Sequence, residues 1–185
     1  MCIIESFLFY SVIILFFTQT FSIFAILLLF RQFGEVYLST PESISRDGLS
    51  LDKEIPPFNI FSFTQNKQVN SDELIKKPTL IAFISPNCEP CKSLLKDWSF
   101  AYEEYGDNIN FVLVLIGREK EVKKMIEKNM VAGEQLWDHH KELFQKFGVR
   151  VTPFVFAVDQ NGFVKDKGLC SYKEQIDLLA SAVLQ

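Results

Sequence analysis

The chain has 185 residues, 23% of them charged and 48% hydrophobic; that is enough for one core of ordinary size plus an appendage and too little for two full domains. Glu5 is the only charged residue ahead of Arg31, and residues 31–185 carry 22 acidic against 19 basic side chains, a balance that argues against nucleic acid as a partner. Gly and Pro are sparse and only four cysteines occur, at Cys2, Cys88, Cys91 and Cys170, which excludes a disordered, collagen-like or disulfide-stapled chain.

From Ser6 to Phe30 no side chain is charged, and residues Phe7 to Phe30 would make a helix of roughly 36 Å, enough to cross a bilayer. Thr18, Gln19 and Thr20 interrupt the apolar run without a charge. A cleaved signal peptide is the competing reading. Against it, the start lacks Lys and Arg, the run is too long, and no small-x-small site comes after it. Residues 1–33 are therefore expected to be a retained single-pass anchor, with Cys2 an unmodified thiol near the membrane surface. Glu5 before the span and Arg31 after it would, by the positive-inside rule alone, leave the rest in the cytoplasm. A single Arg at the end of a span can snorkel into headgroups, so the bias amounts to about one charge.

Residues 34–57, with Pro41, Gly48 and Pro56-Pro57, read as a polar tether, and 58–185 as the folded domain. Phe58 to Phe63 alternates apolar and polar, and a second extended piece around Val69 completes a hairpin. Leu80 to Ile84 is a compact apolar run, hence a buried central strand. From Cys91 the apolar positions Leu94, Leu95, Trp98, Ala101, Tyr102 and Tyr105 recur at helical spacing, and Gly106 supplies a stop. Ile109 to Ile116 is the next strand and Glu119 to Lys128 an amphipathic helix. Asp138 to Phe147 reads as a helix with an aspartate N-cap, closed by Gly148. Phe154 to Val158 and Phe163 to Lys167 flank the turn Asp159-Gln-Asn-Gly162, and Tyr172 to Leu184 closes the chain as a helix. This order predicts a three-layer α/β domain with a mixed central sheet.

The sharpest chemical feature is Ser85-Pro-Asn-Cys-Glu-Pro-Cys-Lys92, where a buried strand hands over to a helix. A cysteine at a helix N-terminus feels the positive end of the macrodipole and unpaired N–H groups, which favour thiolate. Cys88 takes that place and is the expected nucleophile. Cys91 falls in the first turn, close enough to pair with Cys88 or to resolve a mixed disulfide on it. Pro90 stiffens the loop where a missing N–H costs little. A zinc half-site would need a second pair, and His139 and His140 are adjacent on one helix face and ill placed to supply it; no metal is expected. A peroxidatic cysteine motif, Pro-x-x-x-Thr/Ser-x-x-Cys, would need proline where Ile81 stands, and Ser85 alone matches. Cys170 reads as a small buried filler. Thr152-Pro153, taken by itself, is a plain strand-initiating proline.

In this order of elements the C-x-x-C and Thr152-Pro153 resemble the thioredoxin superfamily. The resemblance implies that Thr152-Pro153 is cis, faces Cys88 and receives an extended client chain by main-chain pairing. The extra segment Glu121 to Trp137 and the Cys-Glu-Pro-Cys sequence resemble the membrane-anchored disulfide oxidoreductases of the TlpA/ResA type. Within that group, Leu29-Phe-Arg-Gln-Phe-Gly34, Ser-Pro-Asn-Cys88, Asp159-Gln-Asn-Gly162 and Lys167-Gly-Leu169 most resemble the MauD proteins, accessory factors for methylamine dehydrogenase maturation. The resemblance implies an enzyme of a bacterial cell membrane, its catalytic domain extracytoplasmic, exchanging disulfides in exported client proteins through Cys88 and Cys91. A membrane redox partner is implied too, with no cofactor beyond the redox-active disulfide. The chain departs from the pattern at Ala82 and Leu94, where relatives of these types carry carboxylates, and at Asn87, where tryptophan is usual. Glu89 is then the nearby carboxylate, and its charge would raise the Cys88 pKa and favour a reductase or isomerase. The other class is a non-catalytic client-binding module or metallochaperone using the same thiols; a copper carrier would add a distal His, and none occurs after His140.

Overall fold

The computed structural model describes residues 2–37, 47–129 and 131–184. Helix α1 (Cys2–Tyr37) contains a run of 20 residues, Phe9–Leu28, long and apolar enough to cross a membrane. Its two threonines need no outside partner. Thr18 Oγ1 donates to the Leu15 carbonyl at 2.9 Å and Thr20 Oγ1 to the Phe16 carbonyl at 2.8 Å, bonds that would remove most of the cost of carrying them in a bilayer. The side chains of Cys2, Glu5 and Arg31, on the last two of which the expected charge bias rests, lie outside the described residues, as do residues 38–46 of the expected tether.

The chain divides into two units, Met1–Ser43 and Ile44–Gln185. In the second, β1 (Asn59–Ser62), β2 (Lys67–Asn70), a short α2 (Ser71–Leu74), β3 (Thr79–Ile84), α3 (Glu89–Tyr105), β4 (Asn110–Ile116), α4 (Glu119–Asn129), β5 (Glu134–Asp138), α5 (Glu142–Lys146), β6 (Phe154–Val158), β7 (Val164–Leu169) and α6 (Lys173–Leu184) come in that order. The strands form one seven-stranded sheet, β2-β1-β5-β4-β3-β6-β7. Strands β3, β4 and β5 are mutually parallel and the remaining neighbours antiparallel, so the expected mixed sheet and thioredoxin-like α/β fold are present.

The central strands are apolar throughout because both faces are covered. On one face Trp98, Leu94, Leu95, Val122, Ile176 and Leu179 from α3, α4 and α6 meet Leu80, Ala82, Leu113 and Val155. On the other, Phe83, Phe147 and Phe156 stack with ring centroids 5.2 to 5.9 Å apart, edge-on or tilted as aromatic quadrupoles prefer.

Two expectations change. The stretch 34–57 is not a plain tether. Helix α1 runs on to Tyr37, and from Asp47 the chain is bound into the domain, with Leu49 and Ile55 buried. Asp52 N–H donates to the Val164 carbonyl at 2.7 Å, Val164 N–H to the Lys53 carbonyl at 3.0 Å, and Ile55 N–H to the Gly162 carbonyl at 2.9 Å. The segment therefore covers the outer edge where the chain turns into β7, at residues 162–164, which would otherwise offer open backbone groups. Its Gly and Pro content disguised it, since an irregular strap satisfies an edge without any period of its own.

The second correction concerns Asp138 to Phe147. Glu134–Asp138 is strand β5, inserted between β1 and β4 with Trp137 opposite Phe61 and Leu115, and only Glu142–Lys146 is helical. Nor is Asp138 the N-cap of this helix: that place falls to Lys141, left-handed at φ 59° and without a side-chain capping bond, while Asp138 reaches in from the end of β5 to accept the Phe144 N–H at 2.8 Å. Only Leu136 and Asp138 of the five β5 residues are buried, too little apolar content to signal a strand.

Candidate active site

Sheet direction alone brings the two sequence motifs together. Strand β6 runs antiparallel to β3 with Phe154 opposite Phe83, so Pro153 arrives at the end of β3 from which the C-x-x-C turn departs. Thr152-Pro153 is cis, Pro153 is buried and Thr152 half-buried, and the Thr152 carbonyl lies 3.4 Å from Cys88 Sγ. The Pro153 carbonyl accepts the Cys170 N–H at 3.4 Å, which ties the loop to the strand-to-helix turn beyond β7.

Cys88 is the N-cap of α3 in extended conformation, and its sulfur accepts the Cys91 N–H at 3.2 Å. It forms a disulfide with Cys91 across a Cα–Cα distance of 5.3 Å. Cys88 is half-buried whereas Cys91 is fully buried, so only Cys88 Sγ can be met by another molecule. The turn that presents it is closed by Cys88 N–H donating to the Ser85 carbonyl at 3.2 Å, and Pro90 sits in the first turn of α3, where no intrahelical bond is lost.

Glu89 faces solvent. Its side chain is 82% exposed and pairs with Lys92 at 2.5 Å, so water and an ammonium screen its charge at Cys88. The expected rise in the Cys88 pKa from Glu89 therefore has no geometric basis. What acts on the sulfur is the Cys91 N–H and the helix end, both favouring thiolate. Ala82 and Leu94 are buried and apolar, so neither position offers a carboxylate to the cysteine pair.

Cys170 is buried, and its thiol is pushed up to about 12 chiefly by burial, with Asp97 and Asp177 adding to it. It holds the loop by its backbone and its sulfur is inert. His139 and His140 are both exposed, their rings 4.4 Å apart, with His139 4.9 Å from Trp137; they stand in the turn after β5 rather than on a helix face.

One support was not foreseen. Trp137 Nε1–H donates to the Gly117 carbonyl at 3.0 Å. Gly117, at φ +151°, approaches Pro86 so closely that a Cβ there would stand 3.3 Å from Pro86 Cδ. The inserted strand thus braces the turn that carries Cys88. Trp137 lies in a polar segment whose pattern gave no sign of it.

The model of the AhpC/TSA family matches residues 51–167, which contain both motifs. The methylamine utilization protein MauD of Methylophilus methylotrophus is 25% identical over 138 residues, 74% of this chain and 64% of that protein. The MauD of Paracoccus denitrificans is 25% identical over 129 residues, 70% of this chain and 61% of that one. The chain thus spans somewhat under two thirds of the length of these relatives. Among solved structures, one assigned as a thiol:disulfide interchange protein DsbE from Chlorobium tepidum superposes with a TM-score of 0.68 at 18% identity, covering 74% of this chain and 99% of its own. The peroxidoxin BcpB of Mycobacterium tuberculosis gives 0.63 at 14% identity, covering 71% and 94%. At such identities the likeness is one of fold.

Proposed function

The chain belongs to the AhpC/TSA family, and on that footing we propose that it is a membrane-anchored thiol–disulfide oxidoreductase, acting on exported proteins through Cys88 and Cys91. The observation that carries the reading is the half-buried Cys88 at the head of α3, backed by a buried Cys91 and facing the Thr152 carbonyl at 3.4 Å. A peroxidase reading finds no support in the β3 strand, where buried Ile81 occupies the position its motif reserves for proline.

In the reduced protein the Cys88 thiolate attacks one sulfur of a client disulfide. The client's S–S bond breaks, one client thiolate leaves, and a Cys88–client disulfide forms. Cys91, buried three residues on, then attacks Cys88 Sγ. The second client thiolate leaves, and two electrons have passed from the protein to the client as the Cys88–Cys91 bond closes. The first client thiolate to depart is the base available for the Cys91 proton, since Glu89 faces solvent. Reversal of the same steps reshuffles bonds, so reduction and isomerisation share one path, and a thiol-supplying membrane partner restores the dithiol. The Cys91 N–H and the helix end favour the Cys88 thiolate, but no cationic side chain between the two cysteines adds to them, and on that ground a reductase or isomerase is preferred to a donor of disulfides. The apolar helix and the redox compartment that disulfide exchange requires support an extracytoplasmic domain. The MauD relatives support a dedicated client enzyme under maturation.

The test is reduction of a peptide disulfide by the full chain in detergent with a dithiol as electron source. Wild type turns over; Cys88→Ala falls to the uncatalysed rate. Equal activity of the two would end the proposal.

A further inference from the structure

Asp47 is a buried carboxylate, 7% exposed, that the exchange chemistry does not use. It binds the guanidinium of Arg150, itself 67% exposed, only two residues before Thr152. The contacts around it are not confined to that one pair. Gly48 N–H donates to the Gly148 carbonyl at 3.0 Å, and Lys167 Nζ donates to the Asp47 carbonyl at 2.7 Å. Lys167 stands opposite Phe156 in the sheet. Gly48, at φ +73°, lies so near the rings of Phe156 and Phe154 that a Cβ would approach them to 2.5 and 3.2 Å. Residues 47 and 48 thus grip the chain on both sides of the cis peptide: Gly148 and Arg150 before it, Phe154 and Phe156 after it.

We propose that Asp47 and Arg150 are positioning residues, a clamp that holds the Thr152-Pro153 edge in place for an extended polypeptide client. The inference rests on the exchange reading above. A small disulfide needs only the Cys88 sulfur, whereas a peptide must also pair with the Thr152 main chain while its sulfur meets Cys88 3.4 Å away. A loop released by a fraction of an ångström penalises the second substrate far more than the first. Residues 47 and 48 would then serve client recognition, and the structure gives them the contacts to do so.

The test compares two substrates on the full chain in detergent: an unstructured peptide disulfide and a small aromatic disulfide. In Arg150→Gln, whose side chain is largely in solvent, and in Asp47→Asn, the ratio of peptide to small-disulfide kcat/KM is expected to fall about tenfold. Most of the change should lie in KM for the peptide, and Arg150→Lys should recover part of it. Variants that melt earlier yet keep the wild-type ratio would show that the pair only stabilises the fold, and would overturn the proposal. A wild type inactive on both substrates would instead refute the exchange reading, and the clamp with it.

Discussion

Gly48→Ala discriminates sharply between a tether and a built-in strap. In a flexible connector, Gly to Ala is neutral or stabilising by about 0.4–1 kcal/mol, because the unfolded chain loses freedom. Here the residue holds φ +73°, and the new methyl would stand 2.5 Å from Phe156 Cζ and 2.9 Å from Cε1. The left-handed backbone costs alanine about 1 kcal/mol. Phe156 is fully buried against Phe83 and Phe147 and cannot swing away, so overpacking adds about 1–3 kcal/mol. The expected loss is therefore about 2–4 kcal/mol, equivalent to roughly 6–12 °C in Tm for a unit of this size. Tryptophan fluorescence reads the right unit, because the two tryptophans, Trp98 and Trp137, both lie beyond α1. A Tm equal to or above wild type would refute the packing of residue 48 and return 47–57 to the role of a tether.

Cys170 makes two further expectations. With its thiol raised from about 9 to about 12, it stays protonated and unreactive at pH 8, so iodoacetamide should label Cys88 of the reduced native protein first and leave Cys170 intact. Between these two values the unfolded chain releases that proton and the folded one keeps it. Stability must then fall as pH rises above about 9, by at most about 1.4 kcal/mol per pH unit, and Cys170→Ala should remove this component from a urea-denaturation pH series; an unchanged slope would contradict the burial. Glu89→Gln should move the Cys88/Cys91 potential by less than about 15 mV, roughly a threefold change in equilibrium, because the carboxylate already faces solvent beside Lys92; a larger shift would mean that its field reaches the sulfur. A phosphatase fused to the C-terminus, active only when exported, should be active. Inactive fusions with a fluorescent cytoplasmic reporter at the same junction would place the domain inside.

The central elements were legible because their side chains report burial directly: Leu80 to Ile84 and Phe154 to Val158 are apolar at every position, which only a strand covered on both faces requires. The C-x-x-C was legible for a similar reason, as its place between strand and helix is set by the run that ends at Ile84. What escaped was held by contacts without a period. Trp137 and Asp138 act through single hydrogen bonds to Gly117 and Phe144, and residues 47–57 through backbone bonds and a glycine, none of which leaves a pattern in one sequence. Glu89 was misjudged because sequence places a charge within two residues of a sulfur but says nothing of the direction in which it points.

That Cys88 attacks clients and Cys91 releases them is tested most directly by the full chain carrying Cys91→Ala. Incubated with a peptide disulfide and resolved by non-reducing mass analysis, it should accumulate a one-to-one mixed disulfide on Cys88, while wild type returns to its internal disulfide and frees the peptide as thiol. An adduct on Cys170, or none on Cys88, would contradict the assignment.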